Sequence, residues 1–394
     1  MFRRLYLVLT IFSFSLSVFA NAKAPHKEWG LIVFLNGHNN LDSFGDGDIQ
    51  EMLKAKDTSN IHVVVLHASL KYKKTRYRYI ENGVAKTIKE VSPVDMGSYK
   101  NLVEFSKWAM NEFPADKYFI DIWNHGAGWQ RNANEPEQFR NISSDDVFGT
   151  EITTEQLGVA MNEVSAHLGR KVDVVGMDAC LMAMAEVAGE IQGSAKAMIA
   201  SQDLEPGDGW PYDMFLQGFA NLSDRSIESV ASLLTKSFVD SYTNGSQGSN
   251  SKVTLSAVNL ENFGRFENAL RGLSNDLINS AVSDVGFIKR FIESQKYVQK
   301  FYQSDYVDFF DVVANLKNKN LLSSRAVADE VESAFKDLMI ANNYGSYFSK
   351  AKGLSVWLPY FNYSTHGARY RELAFSKNTQ WGDWLEKAYR TNNQ

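Results

Sequence analysis

Val174-Val175-Gly176-Met177-Asp178-Ala179-Cys180-Leu181-Met182 is the stretch on which the reading of the chain turns. Its first half is an apolar run of strand length, the pattern of a strand covered on both faces. The run breaks at a turn, and residues 181–191 continue with helical spacing. Cys180, the only cysteine among 394 residues, stands at that turn. A second apolar strand, ending at Trp123, closes on Asn124-His125-Gly126 about 55 residues earlier. Ligands of an open parallel sheet bind outside the carboxyl ends of its strands. The two strand ends are therefore expected to share one crevice, with Cys180 as nucleophile and His125 as its partner.

The pattern extends in both directions. Residues 29–35, 61–66, 117–123, 171–177 and 197–201 read as buried strands. Residues 42–56, 102–113 and 153–168 carry helical spacing, the last capped by Thr153 or Thr154. Residues 75–91 alternate on either side of Glu81-Asn82-Gly83, the strongest hairpin signal in the chain. Alternating strands and helices imply right-handed crossovers into a mainly parallel sheet, hence an α/β/α sandwich over residues 29–205. The polar stretch 130–149 lacks apolar periodicity and reads as an exposed loop.

After residue 211 helical patterns dominate, at 223–242, 261–282, 285–302, 307–318 and 323–342. The strand-like runs 253–258 and 354–358 interrupt them. The division expected is a catalytic unit over 29–215 and a mostly helical C-terminal region over 216–394. The latter is either a second domain or helices packed on the sheet, with those two runs extending it.

A composition of 44% hydrophobic and 22% charged residues supplies a large globular core. Net charge is −5 and no dense lysine–arginine run is present, which excludes a nucleic-acid partner. Residues 1–20 have the basic start, short apolar core and small-residue end of a signal peptide, cut after Ala20 or Ala22. An exported protein with no membrane contact after signal removal follows. With one cysteine the fold has no internal disulfide, so a free thiol must be buried or used.

The surroundings favour use. Thiolate is the nucleophile, and a neighbouring histidine and a following helix N-terminus both favour it. The N–H groups of Gly126 and Cys180 are placed to form an oxyanion hole. Each residue also has a plainer reading: Cys180 as a small core residue, His125 as a loop histidine, Asp178 as a helix cap. Their positions at two strand ends tip the balance. No H-E-x-x-H or G-x-S-x-G motif is present, and Arg131 occupies the third glycine position of a dinucleotide fingerprint begun by Gly126 and Gly128.

The sequence resembles the clostripain family of cysteine peptidases, which have a caspase-like fold. The resemblance is carried by Phe34-Leu35-Asn36-Gly37-His38-Asn39-Asn40-Leu41, by Asp95-Met96-Gly97, by residues 118–129 around His125, by residues 176–182 around Cys180, and by residues 201–212. It is strong over 29–215 and fainter at 306–310 and 353–359. It implies a His125/Cys180 dyad, cleavage of proteins or peptides after arginine or lysine, and an acidic specificity pocket at Asp178 or, second, Asp208. Self-cleavage is expected at Arg140 or else Arg131. No cofactor is required by the chemistry, although some relatives depend on calcium; Asp42, Asp46 and Asp48 cluster but fail the EF-hand spacing. Asn124 and Ala127 stand where aspartate and serine are frequent, and neither touches the dyad. The rivals are a non-catalytic binding or adhesion protein on the same fold and a transpeptidase acting on one exported partner.

Overall fold

A computed structural model describes residues 23–130, 141–360 and 363–390. The signal segment, Arg131 and Arg140 lie outside the described residues. The strands are β1 (Lys27–Gly37), β2 (Ile61–Ser69), β3 (Lys74–Glu81), β4 (Val84–Val91), β5 (Ala115–Trp123), β6 (Ile142–Asp145), β7 (Thr150–Ile152), β8 (Val172–Asp178), β9 (Ala195–Ala200), β10 (Thr243–Gly245), β11 (Gly248–Ser249), β12 (Thr254–Asn259), β13 (Tyr306–Asp308), β14 (Met339–Tyr344) and β15 (Ser355–Trp357). The helices are α1 (Asp42–Met52), α2 (Tyr99–Glu112), α3 (Thr154–Leu168), α4 (Ala185–Ile191), α5 (Tyr212–Asn221), α6 (Ile227–Ser241), α7 (Phe263–Ser283), α8 (Phe287–Ser294), α9 (Phe309–Asn318), α10 (Arg325–Leu338), α11 (Tyr363–Tyr370), α12 (Ala374–Thr379) and α13 (Trp381–Arg390).

Nine strands form one sheet in the order β14-β12-β9-β8-β5-β1-β2-β3-β4. The five from β9 to β2 are parallel, and antiparallel pairs flank them on both edges. Apolar residues cover both faces of the central strands. In β1, Ile32 and Phe34 enter one core while Leu31, Val33 and Leu35 enter the other. Helices α1, α5 and α6 cover the second core, and α2, α3, α4 and α7 cover the first. From β1 the chain proceeds to β2 on one side and later to β5, β8 and β9 on the other. The reversal lies between β1 and β5, so a crevice is expected at the carboxyl ends of these two strands.

Local signals hold in several places. Thr153 caps α3 in a reciprocal capping box with Gln156. Asn82 and Gly83 both adopt positive φ, the geometry of a tight hairpin turn between β3 and β4.

Elsewhere tertiary pairing overrides pattern. Residues 339–342 leave the expected helix 323–342 and, with 343–344, form edge strand β14 against β12. The 253–258 run joins the sheet as β12, whereas the 354–358 run pairs with β13 in a separate two-stranded ribbon. The 285–302 pattern shortens to α8 and one 3-10 turn. Residues 142–145 are not an exposed loop: β6 is buried, with Asp145 accepting from His38, Met96, Val147 and Phe148. The C-terminal helices share one core with the residues under β5 and β8.

Candidate active site

Strand register brings the two strand ends level. Trp123 of β5 pairs with Asp178 of β8, and the Asn124 N–H donates to the Asp178 carbonyl at 3.1 Å. His125 stands two residues past the end of β5, and Cys180 two residues past the end of β8. Both line a cavity of about 300 Å³ with Asn40, Trp123, Asp178, Leu204 and Glu205. This is the crevice expected from the strand order.

The backbone around the cysteine is not helical. Helix α4 starts at Ala185, so the expectation of a helix beginning at Leu181 fails, and with it the field of a helix N-terminus on the thiol. Instead Leu181 adopts φ 65°, a conformation unfavourable for a branched side chain. Three backbone bonds hold this turn: Leu181 N–H to Asp203 O at 3.0 Å, Ala183 N–H to Ser201 O at 2.8 Å and Ser355 N–H to Ala183 O at 2.8 Å. Gly126 packs directly on it, since a Cβ there would lie 2.5 Å from the Cys180 carbonyl oxygen. Among the described residues, no oxygen accepts from the N–H of Gly126 or Cys180.

His125 is half-buried, and its Nε2 lies 2.7 Å from Asn40 Oδ1. The amide oxygen can only accept, so Nε2 carries the hydrogen and Nδ1 keeps its lone pair. Burial lowers the imidazole pKa to about 4. The exposed Asn40 follows a buried network at the end of β1. There Asn36 Nδ2 donates to Ser144 O, Asn39 Nδ2 to Ser144 O, and Asn124 Nδ2 to Asn36 O at 2.7–2.9 Å. From the C-terminal region, Tyr306 Oη donates to Ala127 O at 2.7 Å and pins the histidine loop.

Cys180 Sγ contacts the backbone of Glu205, accepting from its N–H at 3.2 Å and donating to its carbonyl at 3.8 Å. Burial, assisted by Asp203 and Asp178, pushes the thiol up to about 11. At neutral pH the site is thus a neutral thiol beside a neutral imidazole.

Beneath the thiol lies a group of buried acids. Asp178 Oδ2 accepts from Trp210 N–H and lies 3.1 Å from Tyr212 Oη, which also lies 2.7 Å from Asp121 Oδ2. One hydroxyl hydrogen cannot serve two carboxylates, so a carboxyl proton completes the chain. Burial, then the Asp178 charge, raises Asp121 to about 8; burial raises Asp178 to about 6. Asp48, raised by burial and Asp178, accepts from Trp123 Nε1 at 2.6 Å. Gly209, at φ 56°, passes so close that a Cβ would sit 3.0 Å from both Asp178 oxygens.

Asp208 is exposed and lines an adjoining cavity with Asp48, Glu51 and Lys54. The three aspartates considered for calcium do not fit an ion. Asp42 accepts from Lys71 N–H, Asp46 from Lys71 Nζ and Tyr72, and Asp48 from Trp123. Among the described residues no three His, Cys, Asp or Glu groups converge as metal ligands. Asn40 and Glu205 went unassigned in the sequence although both stand in quoted motifs, because their partners are supplied by other strand ends.

A model of the clostripain family matches residues 33–387. The chain belongs to the clostripain family. Clostripain of Hathewaya histolytica is 29% identical over 222 residues, 48% of this chain and 42% of that protein. The chain thus matches less than half the length of this curated relative. A secreted C11 cysteine protease from Bacteroides thetaiotaomicron, solved with an irreversible peptide inhibitor, aligns with TM-score 0.69 at 16% identity, covering 92% of this chain and 99% of that one. An inactive zymogen C11 protease from Parabacteroides distasonis gives TM-score 0.64 at 18% identity, covering 90% and 99%. At such identities the likeness is one of fold, and that fold is the caspase-like α/β/α sandwich of this family. No helix among the described residues is long and apolar enough to cross a membrane.

Proposed function

We propose that the protein is an exported cysteine endopeptidase that cuts after arginine or lysine through Cys180 and His125. The observation that carries this reading is the single cavity lined by His125, Cys180 and the buried Asp178. Cys180 sulfur attacks the scissile carbonyl carbon as its proton passes to His125 Nδ1. The free N–H groups of Gly126 and Cys180 receive the oxyanion. Collapse breaks the C–N bond, the imidazolium returns its proton to the leaving amine, and a thioester remains. Water, deprotonated by His125, then releases the acid. Asp178 draws the basic side chain into the cavity. Self-cleavage at Arg140, or else Arg131, follows from the same specificity.

The purified protein is expected to hydrolyse arginyl and lysyl amide reporters, with turnover lost in Cys180→Ala and His125→Ala. Unchanged turnover in Cys180→Ala rules the assignment out, and absence of turnover in the unaltered protein leaves the binding-protein reading. Adding an amine nucleophile and measuring amide product against acid separates transpeptidation from hydrolysis.

A further inference from the structure

Glu205 lies on the turn after β9 and lines the same cavity as Asp178, Cys180 and His125. Its two carboxylate oxygens are shut from solvent, and neither has a hydrogen-bond partner of good geometry among the described residues. The indole N–H of the adjacent Trp210 faces this carboxylate and favours its charged form, but makes no well-formed hydrogen bond to it. Asp178 faces Glu205 and differs from it, since its Oδ2 is already held by Trp210 N–H and near Tyr212 Oη. The other titratable groups that act on Glu205 and Asp178 are Cys180, Asp48, Asp121, Glu51, Tyr212 and Tyr242, none of them a cation. The nearby Lys54 is committed to Asp213 at 2.9 Å. A buried carboxyl with no well-placed donor needs either a proton or an incoming cation. A proton shared with Asp178 fills that need, since burial and the Asp178 charge hold Glu205 well above the usual carboxylate range.

We propose that Glu205 is a second specificity-determining carboxylate, gripping with Asp178 the charged end of the residue before the cut bond. This rests on the reading of the cavity as a peptidase site. Asp178 offers one oxygen and Glu205 two, an arrangement suited to the planar fork of a guanidinium. An ammonium is a point charge and cannot bridge both groups as well, so arginine is favoured over lysine. The displaced proton leaves to solvent as the cation enters.

The test uses amide reporters of one sequence with arginine, lysine or citrulline before the cut bond, citrulline having the arginine shape without its charge. In Glu205→Gln the arginine-over-citrulline ratio of kcat/KM is expected to fall about 10- to 100-fold. An unchanged ratio, or an equal loss on all three reporters, overturns the proposal. Should Glu205→Gln not fold, Glu205→Asp retains the charge one methylene further back. It is expected to shift the arginine-to-lysine ratio, and unchanged ratios in it overturn the proposal too. If the wild-type protein itself does not prefer arginine over citrulline, the specificity reading fails before Glu205 is in question.

Discussion

The backbone N–H of Glu205 lies 3.2 Å from Cys180 Sγ, and His125 Nε2 is turned to Asn40 at 2.7 Å. The two reactive groups thus bond to other partners rather than to each other. With the thiol at about 11 and the imidazole at about 4, neither is charged at neutral pH. Alkylation of Cys180 by iodoacetamide should therefore accelerate continuously from about pH 6 to about pH 9, following the thiolate fraction. A plateau near neutrality would reveal a preformed ion pair and contradict this.

Asn40 fixes the tautomer of His125 from 85 residues away. Asn40→Ala is expected to lower kcat about 10- to 100-fold while KM stays within about twofold. Asn40→Asp keeps an acceptor and adds a negative charge, which stabilises imidazolium and moves the acid limb of the pH–rate profile upward. An acid limb that stays in place in Asn40→Asp means that Asn40 does not act through His125.

Tyr306 Oη donates to the Ala127 carbonyl beside the histidine loop. Tyr306→Phe leaves that carbonyl unpaired in a buried setting and should cost about 1–3 kcal/mol of unfolding free energy. Because the loop carries His125 and Gly126, kcat should fall as well. Denaturant unfolding curves that superimpose for wild type and variant would count against the contact.

The acids under the cavity make stability depend on pH. Asp121 is raised to about 8 in the fold, far above the ordinary carboxylate value near 4. The folded protein binds this proton more tightly than the unfolded chain, so the associated stability is complete in acid and disappears as pH rises through about 8. The urea midpoint should decline between about pH 5 and about pH 9. Asp121→Asn, neutral at every pH, should flatten that decline; equal slopes in both proteins would exclude Asp121 as its source.

Much of this architecture is legible locally. Trp29 to Leu35 and Ile61 to Leu66 are apolar on both faces because their strands are covered on both faces, and Thr153 announces its helix by a cap. Met339 to Tyr344 misleads because an edge strand needs only one partner, β12, and nothing in its own pattern names it. Leu181 misleads for a related reason. Its apolar side chain reads as helix, yet bonds to residues 201, 203 and 355 hold residues 181–183 and the following turn open, with Leu181 left-handed.

The sequence by itself determined the alternation of strands and helices, and it put one histidine and one cysteine just past two strand ends. Such signals depend only on neighbours a few residues apart. Tertiary structure alone decided that Asn40 orients His125, that Glu205 and not the exposed Asp208 shares the cavity with Asp178, and that Tyr306 braces the loop. Those pairings span 27 to 179 residues of chain, and sheet register and packing, rather than local preference, bring them together.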